Sequence, residues 1–193
     1  GAVNAINIAW FIGAAGLCTN AVTQALASCT TNGGGEIFFP EGAWTTAGAH
    51  AVGDNTTIIG SGKNTTLTAT GNATGIFTHG ANVYNVLVKD ITLDGGGFTI
   101  AAYLCSAGLG DGSAGALRFE NVNLQTATYG LRIYDTAATG WQMAQVSFDA
   151  QCRISNNTYG IWCNTSNNVL QCDAFFAVAS SQWAAYFTNA GQW

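Results

Sequence analysis

Residues 33–44 read "GGGEIFFPEGAW", and this stretch decides how the chain folds. Gly33–Gly35 permit a tight entry turn, because glycine reaches backbone conformations that other residues avoid. Residues 37–39, Ile-Phe-Phe, favour a short buried strand. Pro40, the single proline of the chain, has no amide hydrogen to extend a strand ladder, and the Glu-Gly pair after it favours a turn. The stretch therefore predicts a turn, a short strand and a sharp stop.

The composition favours many such short strands over a helical bundle. Only 8% of the 193 residues are charged, against roughly 25% in an average globular protein. Hydrophobic residues make up 48%, and 25 glycines with many Asn, Thr and Ser residues supply turns. Segments of alternating polarity recur with turn residues at roughly the 8–12-residue spacing of all-β folds. An all-β architecture follows, and no break in composition divides the chain.

One helix is predicted in "CTNAVTQALASC", residues 18–29. Thr19 or Asn20 is the expected N-cap, and the apolar residues that follow recur at helical spacing. We expect the helix over residues 19–28. Further along, "YGLRIYDT" (129–136) and "YGIWCNTS" (159–166) open alike, and such loose repetition indicates a solenoid.

The charge balance excludes several partners. Five basic and ten acidic residues give a net charge of −5, so no basic patch is available for nucleic acid or an anionic membrane surface. The sequence contains no apolar run long enough to span a bilayer, and its start is expected to be a mature N-terminus.

The cysteines and sequons favour a secreted, extracellular glycoprotein. Six cysteines without a C-x2-C pair indicate disulfides in an oxidising compartment and argue against zinc, but six cysteines allow fifteen pairings. They are Cys18, Cys29, Cys105, Cys152, Cys163 and Cys172. Candidate N-glycosylation sites are Asn55, Asn64, Asn72, Asn156 and Asn164.

Three segments in order resemble the start of pectate-lyase-like right-handed parallel β-helices. They are "AINIAWFIGAAG" (5–16), the predicted helix and "GGGEIFFPEGAWTT" (33–46); "NVYNVLVKDITLDGGG" (82–97) resembles a later coil. This superfamily includes pectate lyases, glycoside hydrolases and phage tailspikes. The resemblance implies an all-β, single-stranded right-handed parallel β-helix with a short N-terminal capping helix. A single domain over residues 1–193 would hold a strand and the capping helix in 1–32 and the coils in 33–193.

The implied coils set further expectations. Stacked coils rise about 4.8 Å each, and roughly seven coils of about 22 residues would use the chain from residue 33. Cys152 and Cys172 are about one such coil apart, which makes them the favoured disulfide.

The resemblance also implies chemistry on polysaccharides. A hydrolase needs two carboxyl groups facing one bond, and a calcium-dependent lyase needs clustered carboxylates and a base. Asp90, Asp94, Arg118 and Arg132 are weak candidates, and Asp94 before Gly95 is more simply a turn residue. Arg118 ("LRF") and Arg132 ("LRI") are in similar contexts, which favours a shared face. No cofactor is expected, with calcium reserved for the lyase alternative.

The family's catalytic blocks are missing. Its acidic motif of the form GDGxTDD is replaced by "AAGLCTNAV" (14–22), and the Asn-Thr-Asp, Asp-Asp, Gly-His-Gly and Arg-Ile-Lys blocks of polygalacturonases are absent. His50 and His79 are isolated, so structural roles are expected for them. These departures lean against an enzyme.

Three functions remain open. The ends of the sequence carry no charge, which favours head-to-tail self-association into a filament of a secreted structural glycoprotein. The alternative is a polysaccharide lyase or glycoside hydrolase acting on pectin-like polymers. The second alternative is a non-catalytic glycan-binding module, whose flat rings would stack on sugars. The aromatic candidates are Trp44, Trp141, Trp162, Trp183, Trp193, Tyr129, Tyr134 and Tyr159.

Overall fold

Parallel pairing between successive coils organises the whole molecule. The computed structural model describes residues 5–12, 16–80, 83–98, 101–106, 116–134, 144–164, 168–172 and 177–188. Every paired strand within these ranges runs parallel to its neighbours, and the strands stack into three faces. The predicted all-β, single-stranded parallel β-helix is confirmed.

The first face is a seven-stranded sheet. Its strands are β1 (Ala5–Asn7), β2 (Gly35–Phe39), β5 (Thr56–Gly60), β8 (Val86–Lys89), β11 (Ala116–Glu120), β14 (Ala144–Phe148) and β16 (Asn168–Cys172). They pair in that order, so each is hydrogen-bonded to its equivalent in the coil before and after it.

The second and third faces join into one ten-stranded sheet. The second face holds β3 (Ala43–Thr46), β6 (Thr66–Ala69), β9 (Thr92–Asp94) and β12 (Asn123–Gln125), and the third holds β4 (His50–Ala51), β7 (Gly75–His79), β10 (Ala101–Ser106) and β13 (Tyr129–Tyr134). Two longer strands, β15 (Arg153–Asn164) and β17 (Ala177–Thr188), cross both faces. The first part of β15 pairs with β12 and its second part pairs with β13, which joins the two faces.

The coils are longer than expected. One register position of the first face joins six residues of successive coils: Glu36, Thr57, Leu87, Arg118, Ser147 and Gln171. Successive coils are therefore 21, 30, 31, 29 and 24 residues long. The prediction of roughly seven coils of about 22 residues was wrong, because the turns between faces take up more residues than the strand pattern indicated.

Side chains pointing inward form continuous rows through the core. In the three faces these rows are Ile37–Ile58–Val88–Phe119–Phe148, Trp44–Leu67–Leu93–Leu124–Ile154 and His50–Phe77–Tyr103–Leu131–Ile161, all buried. Rings meet within the first face, where Phe119 stacks on Phe148 at 4.8 Å between centroids, and across faces, where Tyr103 meets Phe119 edge-on at 5.3 Å. Burial of these rows is the main stabilising contribution to the fold.

The glycine-rich stretch folds as its sequence predicts. Gly33 and Gly34 adopt φ of 73° and 134°, and a side chain on Gly34 would lie 2.6 Å from the Cβ of Asn55. Strand β2 ends directly before Pro40, whose carbonyl accepts a hydrogen bond of 2.9 Å from the buried indole of Trp44. Pro40 therefore ends the first full strand at a corner that Trp44 holds in place.

Two helices precede the first complete coil: α1 (Ala9–Ile12) and α2 (Thr19–Thr31). The buried face of α2 is the predicted one, namely Ala21, Val22, Ala25, Leu26 and Cys29. It begins after Cys18, which makes no side-chain capping bond, and it continues beyond residue 28. Thr30 and Thr31 belong to its last turn, where their hydroxyls donate to the carbonyls of Leu26 and Ala27 at 3.0 and 2.9 Å. No helix in the described ranges is both long and apolar enough to cross a membrane.

The disulfide prediction is not supported. Cys18, Cys29, Cys105, Cys152 and Cys163 are all buried as thiols and not joined in disulfides. Cys105 and Cys163 share one row, but Ile133 lies between them, so their Cα atoms are about 10 Å apart where a disulfide needs less than about 7 Å.

The favoured pair, Cys152 with Cys172, is not stacked in register. The last coil is 24 residues long, so Cys172 stacks on Phe148 rather than on Cys152. The Cys152 thiol instead donates to the carbonyl of Phe119 at 3.3 Å. The side chain of Cys172 lies outside the described residues.

We predict that the five buried thiols are unreactive in the folded protein. Burial raises the pKa of Cys18 to about 11 and that of Cys152 to about 12, so few thiolates exist at neutral pH. Dithionitrobenzoate should label these five only after unfolding in guanidinium, with mass spectrometry locating the labels. A Glu41→Cys variant, at an exposed position, is the positive control. Labelling of the five buried thiols as fast as the introduced one would contradict the fold.

His50 predicts a pH dependence of stability. Its Nδ1 lies 3.1 Å from the Thr23 hydroxyl and its Nε2 2.6 Å from that of Thr46, and burial lowers the pKa of His50 to about 4. The unfolded chain then takes up a proton on this histidine near pH 6.5, whereas the folded chain takes it up only near pH 4. Stability therefore decreases as the pH is lowered across that window. From pH 7 to 5 the free energy of unfolding should drop by about 2 kcal/mol. His50→Gln should remove most of this drop in urea titrations, and an unchanged slope would contradict the assignment.

Candidate functional site

Outward-facing rings form two adjacent rows on the third face. In one row Tyr129 of β13 stacks below Tyr159 of β15 and Trp183 of β17. In the neighbouring row Arg132 of β13 lies below Trp162 and Tyr186. These six residues, Tyr129, Arg132, Tyr159, Trp162, Trp183 and Tyr186, are called the aromatic surface below.

The rings of the aromatic surface touch one another in a connected patch. Tyr129 and Tyr159 are nearly parallel, with centroids 5.4 Å apart and an interplanar angle of 18°. Trp162 lies 5.6 Å from Tyr129, and Tyr186 lies 5.9 Å from Tyr159 and 5.8 Å from Trp183. Trp183 remains 54% exposed. The patch therefore spans three coils and presents flat apolar area to solvent.

Arg132 places a positive charge among these rings. Its Cζ lies 4.9 Å from the ring centroids of both Tyr129 and Trp162, which is cation–π geometry. The rings hold the guanidinium in position, so less entropy is lost when it pairs with an anion. The arrangement combines stacking area with a preoriented cation.

A repeated Tyr-Gly pair explains why the rings line up. Gly130 and Gly160 follow the two stacked tyrosines, and a Cβ on Gly130 would lie 2.5 Å from Ile154 and 2.7 Å from the carbonyl of Gly160. Only glycine permits this close approach of the next coil. The two "YG" segments are one coil apart in register, so each tyrosine stands above its equivalent.

The two candidate arginines do not share a face. Arg118 lies in the outward row of the first face between Leu87 and Ser147, whereas Arg132 lies on the third face. The similar contexts "LRF" and "LRI" reflect the same strand alternation on different faces. The expected common arginine face is therefore not formed.

Asp90, the first carboxylate candidate, belongs to a corner after the first face. It adopts φ of 53° and receives a 2.7 Å hydrogen bond from the Asn121 amide of the next coil. In the coil after that, both carboxylate oxygens of Asp149 accept from the backbone of Asn121 at 3.1 Å. Lys89 lies 3.7 Å from Asp90, with both side chains about one-third exposed. This column of side chains joins three coils at one corner.

Asp149 is held in its ionised form. Burial raises the pKa of Asp149, but hydrogen bonds from Asn121, Cys152 and Gln151 outweigh burial, and the pKa lies below its ordinary value. A carboxylate with a lowered pKa is a poor proton donor near neutral pH. Asp149 is therefore suited to holding the corner together rather than to acid catalysis.

Asp94 is occupied by turn and neighbour contacts. It accepts 2.8 Å hydrogen bonds from the backbone of Gly96 and from the side chain of Gln125. A corner separates it from Asp90, because β8 ends at Lys89 and β9 begins at Thr92. Asp94 thus has the turn contact expected of it, and the two aspartates do not face one another across a bond.

The described residues do not fit a calcium site of the kind a lyase would need. Among them, no three His, Cys, Asp or Glu side chains are grouped so that they could hold a metal ion. Asp90 and Asp149 share Asn121 as a partner instead. Asp111, Asp135 and Asp173 lie outside the described ranges.

The remaining aromatic and histidine candidates are either buried in the core or lie outside the described residues. Trp44 is 1% exposed and belongs to the core, and His50 is a buried structural residue. Trp141 and Trp193, and the side chains of Tyr134 and His79, lie outside the description. Tyr186 was missed from the sequence, because it belongs to "WAAYF", which lacks the Tyr-Gly pair.

The sequons differ in their surroundings. Asn64, Asn72 and Asn156 are exposed, and Asn164 is half-buried. Asn55 is exposed, but its amide donates to the Gly33 carbonyl at 3.1 Å and its oxygen accepts from Asn85 at 3.0 Å. Glycosylation of these five asparagines stays a prediction.

A solved structure with the same architecture is the A-module of the mannuronan C-5 epimerase AlgE6 from Azotobacter vinelandii. It superposes with a TM-score of 0.62 at 18% identity, over 90% of this chain and 57% of that chain. This chain thus spans little more than half the length of that module. At this identity the likeness establishes the fold, a parallel β-helix.

A second structural match is weaker. A protein provisionally described as a glycosyl hydrolase, from Parabacteroides merdae, gives a TM-score of 0.32 at 12% identity over 97% of this chain and 95% of that one. No protein-family profile matches the chain, and no curated protein matches it in sequence.

We predict that Asp149 contributes to the stability of the fold, most clearly at pH values above the usual pKa of a carboxyl group. Asp149→Asn should lower the free energy of unfolding at pH 7 by about 1–2 kcal/mol, because backbone donors at the corner lose a charged acceptor. Since the folded pKa is lowered, this contribution is present above about pH 4 and disappears as pH falls through the folded pKa. The loss of stability on acidification should therefore be smaller in the variant.

Glu41→Gln is the matched control for this change. Glu41 is exposed and makes no hydrogen bond within the described part of the chain, so its neutralisation should leave the urea midpoint unchanged. Equal effects of the two substitutions would contradict a specific role for Asp149.

Proposed function

We propose that this protein is a carbohydrate-active β-helix that binds an acidic, pectin-like polysaccharide on the aromatic surface. The observation that carries the proposal is the cation–π arrangement of Arg132 between Tyr129 and Trp162, inside a patch of solvent-facing rings. Apolar sugar faces pack on flat rings, and a guanidinium recognises a carboxylate through paired hydrogen bonds.

The shape of the patch supports a polymeric ligand. Its two rows follow the axis of the β-helix over three coils, and coils rise by about 4.8 Å. Successive sugars of one chain can then meet rings of successive coils. The mannuronan epimerase module supports the acidic class of polymer, since a polysaccharide of uronic acids is what its name says it acts on.

Binding is the part of this function that the described side chains support. Asp149 and Asp94 already hold backbone and amide donors, and we assign neither of them a role as acid or base. In the enzymatic alternative, the protein would also cleave the bound polymer as a polysaccharide lyase or glycoside hydrolase. It would then release unsaturated or reducing ends. Those products can be assayed with the same samples that test binding.

The head-to-tail filament stays a prediction. In the described part of the chain the sheets end in strand edges, at β1 and β16 on the first face and at β17 beyond β15. We rank carbohydrate binding above the structural role because the aromatic surface supplies contacts that suit a sugar.

The test is polysaccharide affinity of two variants of the aromatic surface. Trp162→Ala and Arg132→Gln should each weaken binding of polygalacturonate or polymannuronate about tenfold, since stacking and cation–π contacts contribute about 1–2 kcal/mol each. Affinity electrophoresis and calorimetry measure the change, and circular dichroism checks the fold.

Arg118→Gln is the matched control, because it removes the same charge from the first face. It should leave the affinity within about twofold of the original protein. Equal losses of affinity in Arg118→Gln and Arg132→Gln would mean that binding depends on net charge alone. Absence of binding to both polymers would overturn the proposal.

A further inference from the structure

A recess lies at the end of the β-helix opposite the aromatic surface. It is a cleft of about 950 Å³ between α1, α2 and the first strands of the first face, within the size range of small-molecule sites. Trp10 and Phe11 of α1 line it, and Gln24 and Ser28 of α2 line it as well. None of these residues belongs to the aromatic surface.

The aromatic part of the cleft is unusually exposed. Trp10 is 76% exposed and Phe11 50%, whereas most large apolar side chains in the described ranges are buried. Exposed rings grouped beside a recess mark binding surfaces more often than single exposed apolar residues do. The rings offer stacking area next to a cleft rather than on a flat surface.

The polar groups of the cleft are uncharged and available. Within the described chain, the Trp10 indole N–H, the Gln24 amide and the Thr57 hydroxyl have no hydrogen-bond partner, although all three residues line the cleft. The lining contains no Lys, Arg, Asp or Glu. An anionic ligand would find no cation in this lining, and the nearest carboxylate in register, Glu36, lies between Ala5 and Thr57. A neutral polyhydroxyl ligand would find both donors and acceptors.

We infer that this cleft binds a neutral sugar residue, stacked on Trp10 and hydrogen-bonded by Gln24 and Thr57. Flat rings accept the apolar face of a pyranose, and amide and hydroxyl groups match its hydroxyls. The assignment is independent of the aromatic surface, whose arginine favours acidic sugars. A protein carrying both would contact one polysaccharide at acidic residues and at neutral ones.

The experiment is calorimetric titration of the full chain with three neutral oligosaccharides: cellohexaose, xylohexaose and mannohexaose. We expect at least one to bind with a millimolar or lower Kd. Trp10→Ala should weaken that binding about tenfold and Gln24→Ala several-fold. Both positions are exposed, so neither substitution removes core packing.

Leu17→Ala is the matched control at the same end of the molecule. Leu17 is 62% exposed and does not line the cleft, so its loss should leave the affinity unchanged. Trp162→Ala should also leave it unchanged, which separates this site from the aromatic surface whether or not the acidic polymer binds there.

Four outcomes would overturn the assignment. One is no binding of any of the three oligosaccharides at millimolar concentration, and another is equal affinity of Trp10→Ala and the original protein. A third is a Trp10→Ala variant that loses polygalacturonate binding while no neutral oligosaccharide binds the original protein. That result would make the cleft part of a site for acidic sugars. The fourth is a sedimentation shift from dimer to monomer in Trp10→Ala, which would assign the exposed rings to contact with a second copy.

Discussion

Parallel hydrogen bonding between successive coils is the constraint on which the rest of this structure depends. Because strands of neighbouring coils pair in register, each side chain stands directly above its equivalent one coil earlier. Inward rows such as Ile37, Ile58 and Val88 then place buried side chains above one another from coil to coil. The same stacking occurs on the outer surface, where a residue type repeated in successive coils forms a continuous row. In this fold, local sequence repetition therefore becomes long-range order along the axis.

The aromatic surface is a consequence of this rule rather than a separate feature. Tyr129 and Tyr159 are one coil apart, and Gly130 after the first leaves room for Ile154 and the Gly160 carbonyl of the next coil where the rings stack. Arg132 gains its cation–π partners in the same way, since Trp162 is its equivalent in the next coil. At the corner after the first face, register places Asn121 between Asp90 and Asp149. There the same stacking produces structural hydrogen bonds instead of a row of rings.

The sequence predicted what depends on local physics and missed what depends on coil length. The buried face of α2 and the strand stop at Pro40 follow from periodicity and from the missing amide hydrogen, and both agree with the structure. Turn lengths leave no periodic signal, so the coils were predicted too short and Cys172 was placed above Cys152 instead of Phe148. For the aromatic surface, the repeated Tyr-Gly pair was visible in the sequence. Its partner Tyr186 was not, because only the register of a 24-residue coil brings it there.

The low charge of the chain bears on the proposed binding of an acidic polysaccharide. With five basic residues in total, long-range attraction of an acidic polymer is weak, and a net charge of −5 opposes it. Affinity must then come from contact: ring area that excludes water, with one guanidinium held between two rings so that its charge acts at short range. The cleft beside Trp10, whose lining holds no cation, combines ring area with uncharged polar groups. In both proposed sites aromatic rings would supply the contact area, and the presence or absence of one arginine would decide which sugars pair with it.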